Sequence, residues 1–232
     1  MRFHFILITI LISILVIGLL SGCGPRREPQ AQSTFQQEDC EYVVTVLLDL
    51  SPSFFNEMTE GGQAYNFNAA LLDHYFRERL GTNDQLIIAQ ISGEKRALLW
   101  QGTPLQLRQK FPSATAFGEF LRSNANPNGS LVHDAIAATV DYVLADPNVA
   151  SGRAKSAIFV LSDMADNGSS EDSEERALDS LKAFGRVGGI VGMYYVDQRL
   201  VPDWRTKLKD AGIRESCVEA EIVGTPTLPS FE

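Results

Sequence analysis

The sequence predicts an α/β domain with a mostly parallel central sheet, one antiparallel edge strand and helices on both faces. Three observations carry that prediction. Short apolar runs alternate with helix-period segments from Tyr42 to Val223, the pattern of repeated strand–helix crossovers. The first run, Tyr42–Leu48, is almost continuously aliphatic or β-branched, as a strand buried on both faces must be. One pair of runs is joined by Ser92-Gly93-Glu94-Lys95, a turn short enough to fold the chain straight back.

The elements follow in order. After the first strand, Phe67, Ala70, Leu71, His74 and Tyr75 recur at helical spacing and predict a helix over about Ala64–Leu80, with Gly81 at its C-terminal cap. Gln85–Ile91 and Ala97–Trp100 are the two arms of the hairpin. Amphipathic stretches at Pro104–Lys110 and Ala114–Ser123 precede an Asn/Gly loop at 124–129 and a helix over about Leu131–Ala145. Ser156–Leu161 is a fourth strand, Asp163–Ser170 a polar loop, and Glu171–Phe184 a helix. Its acidic first turn suits the positive end of the helix dipole. A strand at Ile190–Val196, a helix at Val201–Ala211 and a last strand near Val218–Val223 complete the domain, placed at 40–224, with a loose tail at 225–232.

The amino end has a different character. Arg2 precedes an apolar run from Phe5 to Leu20, shorter than the roughly 20 residues that span a bilayer and typical of a secretory h-region. Leu20-Ser21-Gly22-Cys23 resembles a bacterial lipobox, which implies cleavage after residue 22 and acylation of Cys23. An uncleaved anchor helix is the alternative. Residues 23–39 are polar apart from Phe35 and read as a tether. The domain is then expected in the cell envelope, lipid-anchored and outside the cytoplasm. Gly24 after the lipid cysteine points to the outer membrane if the host is Gram-negative. The formal charge of −9 argues against nucleic acid as a partner. Cys40 and Cys217 form an even pair in an oxidising compartment and are expected to be disulfide-bonded, the alternative being two buried thiols.

Ligands of open α/β sheets sit at the carboxyl ends of the strands. The first strand ends in Asp49-Leu50-Ser51-Pro52-Ser53, the fourth in Ser162-Asp163, and the Asn/Gly loop delivers Ser130 to a helix start. Asp49, Ser51, Ser53, Ser130 and Asp163 offer only oxygen, a set that suits a hard cation, Mg²⁺ first and Mn²⁺ or Ca²⁺ next. Turn and capping roles for the serines are the plain alternative. His74 and His133 have no second histidine at metal spacing and read as packing or surface residues. Asp166 reads as a turn residue or a modifier of local charge.

Asp49-x-Ser51-x-Ser53 after a buried strand, with Ser130 and Asp163 following in order, resembles the metal-ion-dependent adhesion site of von Willebrand factor A-like domains, which have a Rossmann-like fold. The resemblance covers about Tyr42 to Val223. It implies a cation held by Ser51, Ser53 and Ser130, with Asp49 and Asp163 completing the shell. One position is left for an acidic residue of a protein partner. Two positions depart from the family: Ser130 stands where Thr is usual, and Met164 where Gly follows the last aspartate. A binding role is therefore expected rather than catalysis. A metal-free scaffold in an envelope assembly is the first alternative. A Mg²⁺-dependent phosphohydrolase of the haloacid-dehalogenase type is the second, but its acid/base aspartate would stand where Ser51 is. A serine hydrolase lacks a histidine at a strand end.

Overall fold

A computed structural model describes residues 40–93, 97–125, 129–168 and 170–229. The leader at 1–22, Cys23, the tether to residue 39, and Glu94 and Lys95 of the turn lie outside the described residues. Among those described, no helix is long and apolar enough to cross a membrane.

Six strands form one sheet: β1 (Tyr42–Asp49), β2 (Gln85–Ile91), β3 (Leu98–Gly102), β4 (Lys155–Leu161), β5 (Ile190–Val196) and β6 (Glu215–Ala220). Their order is β3-β2-β1-β4-β5-β6. All neighbours are parallel except β2 and β3, the expected hairpin. The helices are α1 (Gln63–Arg79), α2 (Pro104–Lys110), α3 (Ala114–Asn124), α4 (Val132–Leu144), α5 (Pro147–Ala150), α6 (Glu171–Arg186) and α7 (Val201–Asp210). The four-residue α5 was not expected from the sequence.

Side-chain alternation sorts the core into two layers. Val43 and Leu47 of β1 pack with α4, α6 and α7 on one face. Tyr42, Val44, Val46 and Leu48 pack with α1, α2 and α3 on the other. Every residue of β1 is buried, so the continuous apolar run follows from its place at the sheet centre. Thr103 and Gln106 close a capping box at α2, and Ser170 caps α6 by accepting from Ser173 N.

Asp84, which the sequence did not single out, pins the start of the domain. It is fully buried. Its carboxylate accepts from the backbone N–H groups of Glu41 and Tyr42, from Tyr75 Oη, and from Arg79 Nε at 2.7 Å. Burial pushes this carboxyl up, but the Arg79 bond and charge and the backbone donors outweigh it and hold it below the ordinary range.

The expected disulfide is overturned. Cys40 and Cys217 are free thiols. Cys217 stands level with Gly192, Phe159 and Val46 across the sheet. Three strand spacings, about 14 Å, separate it from β1, and Cys40 lies further toward the amino end, so the pair far exceeds the roughly 7 Å that a disulfide can bridge. The two thiols also pack on opposite faces. The sequence reading placed Cys217 just before the last strand, whereas it sits inside β6.

Candidate metal centre

The carboxyl ends of β1, β2 and β4 are stitched together by backbone bonds. Leu50 N donates to Ile91 O at 3.0 Å, and Leu131 N donates to Ser92 O at 3.1 Å. Asn167 N donates to Ser130 O at 3.0 Å, and Asp197 N to Asp163 O at 3.0 Å. Asp166 adds a side-chain tie: it accepts from His133 N at 3.1 Å and lies 2.9 Å from His133 Nδ1. His133 stacks on Trp204 with ring centroids 5.7 Å apart, so it is a packing residue. Asp166 thus fastens the loop after β4 to the start of α4.

Asp49 ends β1 and is fully buried. One carboxylate oxygen accepts from Ser51 N at 2.9 Å and the other from Ser162 Oγ at 2.6 Å. Ser51 and Ser53 hydroxyls lie 3.2 Å apart, so positions 49, 51 and 53 converge as the chain curls over the strand end. Burial pushes the Asp49 carboxyl above its ordinary range against the pull of the serine bonds, and the charge of Asp163 pushes the same way. Burial also raises Asp163, with the charge of Asp197 adding to it, although Asp163 Oδ1 accepts from Ala165 N at 2.9 Å. Two carboxylates in one partly dry site repel and call for a compensating charge.

Ser130 is 1% exposed, and its hydroxyl has no hydrogen-bond partner. It is not the N-cap of α4, since that position is Leu131. A buried polar atom without a partner needs an explanation, and an oxygen-binding cation supplies one. Among the described residues no three His, Cys, Asp or Glu side chains gather as a ligand set. The expected set of two carboxylates and three hydroxyls is of the kind that takes Mg²⁺ or Mn²⁺ with water completing the shell.

Met164 holds a backbone conformation that glycine adopts at least cost. Its φ is +61°, in the left-handed region that favours glycine. Its side chain is 2% exposed in the core beneath the loop, while its N–H donates to Ser162 Oγ at 2.8 Å. Tyr195, with φ +67°, marks a bulge in β5 that turns Tyr194 and Tyr195 into the same core layer. Ser162 and Asp197 were not assigned roles from the sequence. Both directly follow buried strands on the site's edge of the sheet, and that was the available signal.

No family model matches the sequence, and no curated protein does. Solved structures do resemble it. The N-terminal domain of TFIIH p34 superposes with a TM-score of 0.52 at 13% identity, covering 79% of this chain and 93% of that one. The pilus adhesin SpaC from Lactobacillus rhamnosus GG superposes with a TM-score of 0.53 at 16% identity, covering 81% of this chain. The match spans only 29% of the adhesin's length. At these identities the likeness is one of fold. Strand order, element order and neighbours agree on a von Willebrand factor A-like fold.

Proposed function

We propose that this protein is a lipid-anchored envelope protein, tethered through Cys23, that binds a protein partner through a divalent cation. Asp49, Ser51, Ser53, Ser130 and Asp163 would hold the ion. When bound, the ion supplies positive charge to the two carboxylates and an open position for an acidic side chain of the partner. The remaining work falls to this chain's own residues: Ser162 and Ser51 N orient Asp49, and Asp166 holds the Ser130 loop against the Asp163 loop. Nothing in the site provides a second aspartate two residues after Asp49, so phosphoryl transfer has no acid/base group there.

The observation that carries the reading is the buried, unpartnered hydroxyl of Ser130. A ligand role and a structural role separate cleanly at that atom. Removing a hydroxyl that bonds to nothing leaves metal-free stability unchanged or improves it. Ser130→Ala is therefore expected to melt in chelator no lower than wild type, while its Mg²⁺ and Mn²⁺ affinities, measured by calorimetry, fall on the order of tenfold or more. A wild type that takes up neither ion at millimolar concentration returns the protein to the scaffold reading. Mass spectrometry of membrane-extracted protein tests the anchor, and an unacylated Cys23 or a retained Met1 refutes it.

A further inference from the structure

An open sheet has two edges, and each leaves a row of backbone donors and acceptors with no strand to pair with. Here the edges are β3 and β6, and their chemistry differs. β6 holds Glu215 and Glu219, with Glu221 directly after it. Charges on an edge keep other strands away. β3 reads Leu-Leu-Trp-Gln-Gly, and no residue from Ala97 to Leu107 is charged. None of the five residues of β3 is buried. Among the described residues β3 pairs with β2 alone.

β3 is short, but its register shift against β2 lies at the Leu98 end, so Trp100–Gly102 form the regular part of the edge. Trp100 packs toward the α1–α3 layer, and its ring lies so close to Gly102 that a Cβ there would meet it at 2.7 Å. Gln101 points to the opposite layer, where its Oε1 accepts from Tyr142 Oη of α4. Tyr142 is itself 40% exposed. Charge restricts where a second copy could approach. The formal charge is −9, and on one surface of α4 and α6 Asp141, Asp172, Glu175 and Asp179 outnumber Arg176. Faces of that kind repel their like, and the neutral β3 edge does not.

We infer that β3 pairs antiparallel with β3 of a second copy, about a two-fold axis at Gln101, which joins the two sheets into one. An extended strand is the shape that satisfies a row of edge backbone groups. On this axis Gln101 faces Gln101, and Trp100 of each copy faces Gly102 of the other. The glycine leaves room for the ring, and no charge meets its like. β6 offers no such match: centred on Cys217 or on Val218, the same pairing sets Glu215 against Glu219 or Glu221. None of Asp49, Ser51, Ser53, Ser130 and Asp163 takes part, so the contact stands apart from the cation reading.

The full chain, purified in dodecyl maltoside, is followed by native mass spectrometry and amide hydrogen exchange over a range of protein concentrations. A dimer is expected with a dissociation constant on the order of micromolar, as befits a small interface. The outward-facing amides of β3 are expected to exchange roughly fivefold or more slower at the highest concentration than at the lowest, with those of β6 unchanged. Gln101→Lys sets cation against cation on the axis and is expected to weaken the dimer about tenfold, while its exposed position leaves the melting temperature unchanged. A chain that stays monomeric at every concentration overturns the inference. So does a dimer protected elsewhere than at β3, or one that Gln101→Lys leaves intact, as chains sharing a micelle through their anchors would be. β3 amides that exchange slowly in the monomer show an edge already covered and overturn it equally. The wild-type measurements decide the matter even where the variant fails to fold.

Discussion

Ser162 Oγ donates a 2.6 Å hydrogen bond to Asp49 Oδ2, joining two strand ends that lie 113 residues apart in the chain. The bond orients a carboxylate that burial alone pushes toward neutrality. Site and fold are therefore in tension at Asp49: the charge that suits a cation is the charge the dry strand end resists.

That tension gives the first prediction. In chelator, Asp49→Asn removes a buried charge and its repulsion with Asp163, while Ser51 N keeps an oxygen acceptor. The variant is expected to melt above wild type without metal and below it with saturating Mg²⁺, because only wild type gains from the ion. Paired thermal melts check the inversion, and a variant that melts below wild type in both conditions contradicts it.

Asp84 gives the opposite sign. Its folded carboxyl lies below the unfolded value, so its stabilisation is complete above about pH 4 and is lost as pH falls through the folded value. Asp84→Ala leaves Glu41 N, Tyr42 N and Tyr75 Oη without that acceptor and Arg79 with Glu41 alone. It is expected to cost about 3–5 kcal/mol at neutral pH, with the gap from wild type closing in acid. Urea unfolding at neutral pH and at progressively lower pH reads both parts.

Met164→Gly sets two effects against each other. Glycine relieves a left-handed backbone worth about 1–2 kcal/mol. It also empties a buried methionine site, which costs about 2–5 kcal/mol. Burial wins, and the variant is expected to lose about 1–3 kcal/mol in chemical denaturation while keeping its cation affinity.

For the cysteines, intact mass under non-reducing conditions is expected to show no bond between Cys40 and Cys217. Replacing either by serine should leave the unfolding transition insensitive to reductant. A midpoint that falls on adding reductant to wild type would show a bridge after all.

The sheet was legible because burial on both faces forces an unbroken apolar run, and β1, β2 and β4 each carry one. Asp49, Ser51, Ser53 and Asp163 could be named as candidates because they follow β1 and β4, and Ser130 because it leads into α4. What stayed hidden had a physical reason in each case. The last strand, Glu215–Ala220, is an edge strand with polar and half-exposed residues, so its period is weak and its expected position slid by three residues. A bond to Cys40 looked feasible because the ends of a domain often lie close together, and the strand order that sets β6 three spacings from β1 is not visible in the sequence. Asp84 was invisible because its partners come from the start of β1 (Glu41 and Tyr42) and from α1 (Tyr75 and Arg79), and no local pattern announces such a convergence.

The strand order has a bearing on the chain's birth. β1 emerges first from any exit channel, yet one edge waits for residues 85–91 and the other for Lys155–Leu161. Until more than a hundred further residues have followed, its most apolar segment has no second neighbour to pair with. Late closure of non-local pairs slows folding and leaves strand edges open to wrong partners. Under the export proposed above, delivery amino end first would carry that exposed strand ahead of its complement, which makes the interval between β1 and β4 the period in which a holding chaperone matters most.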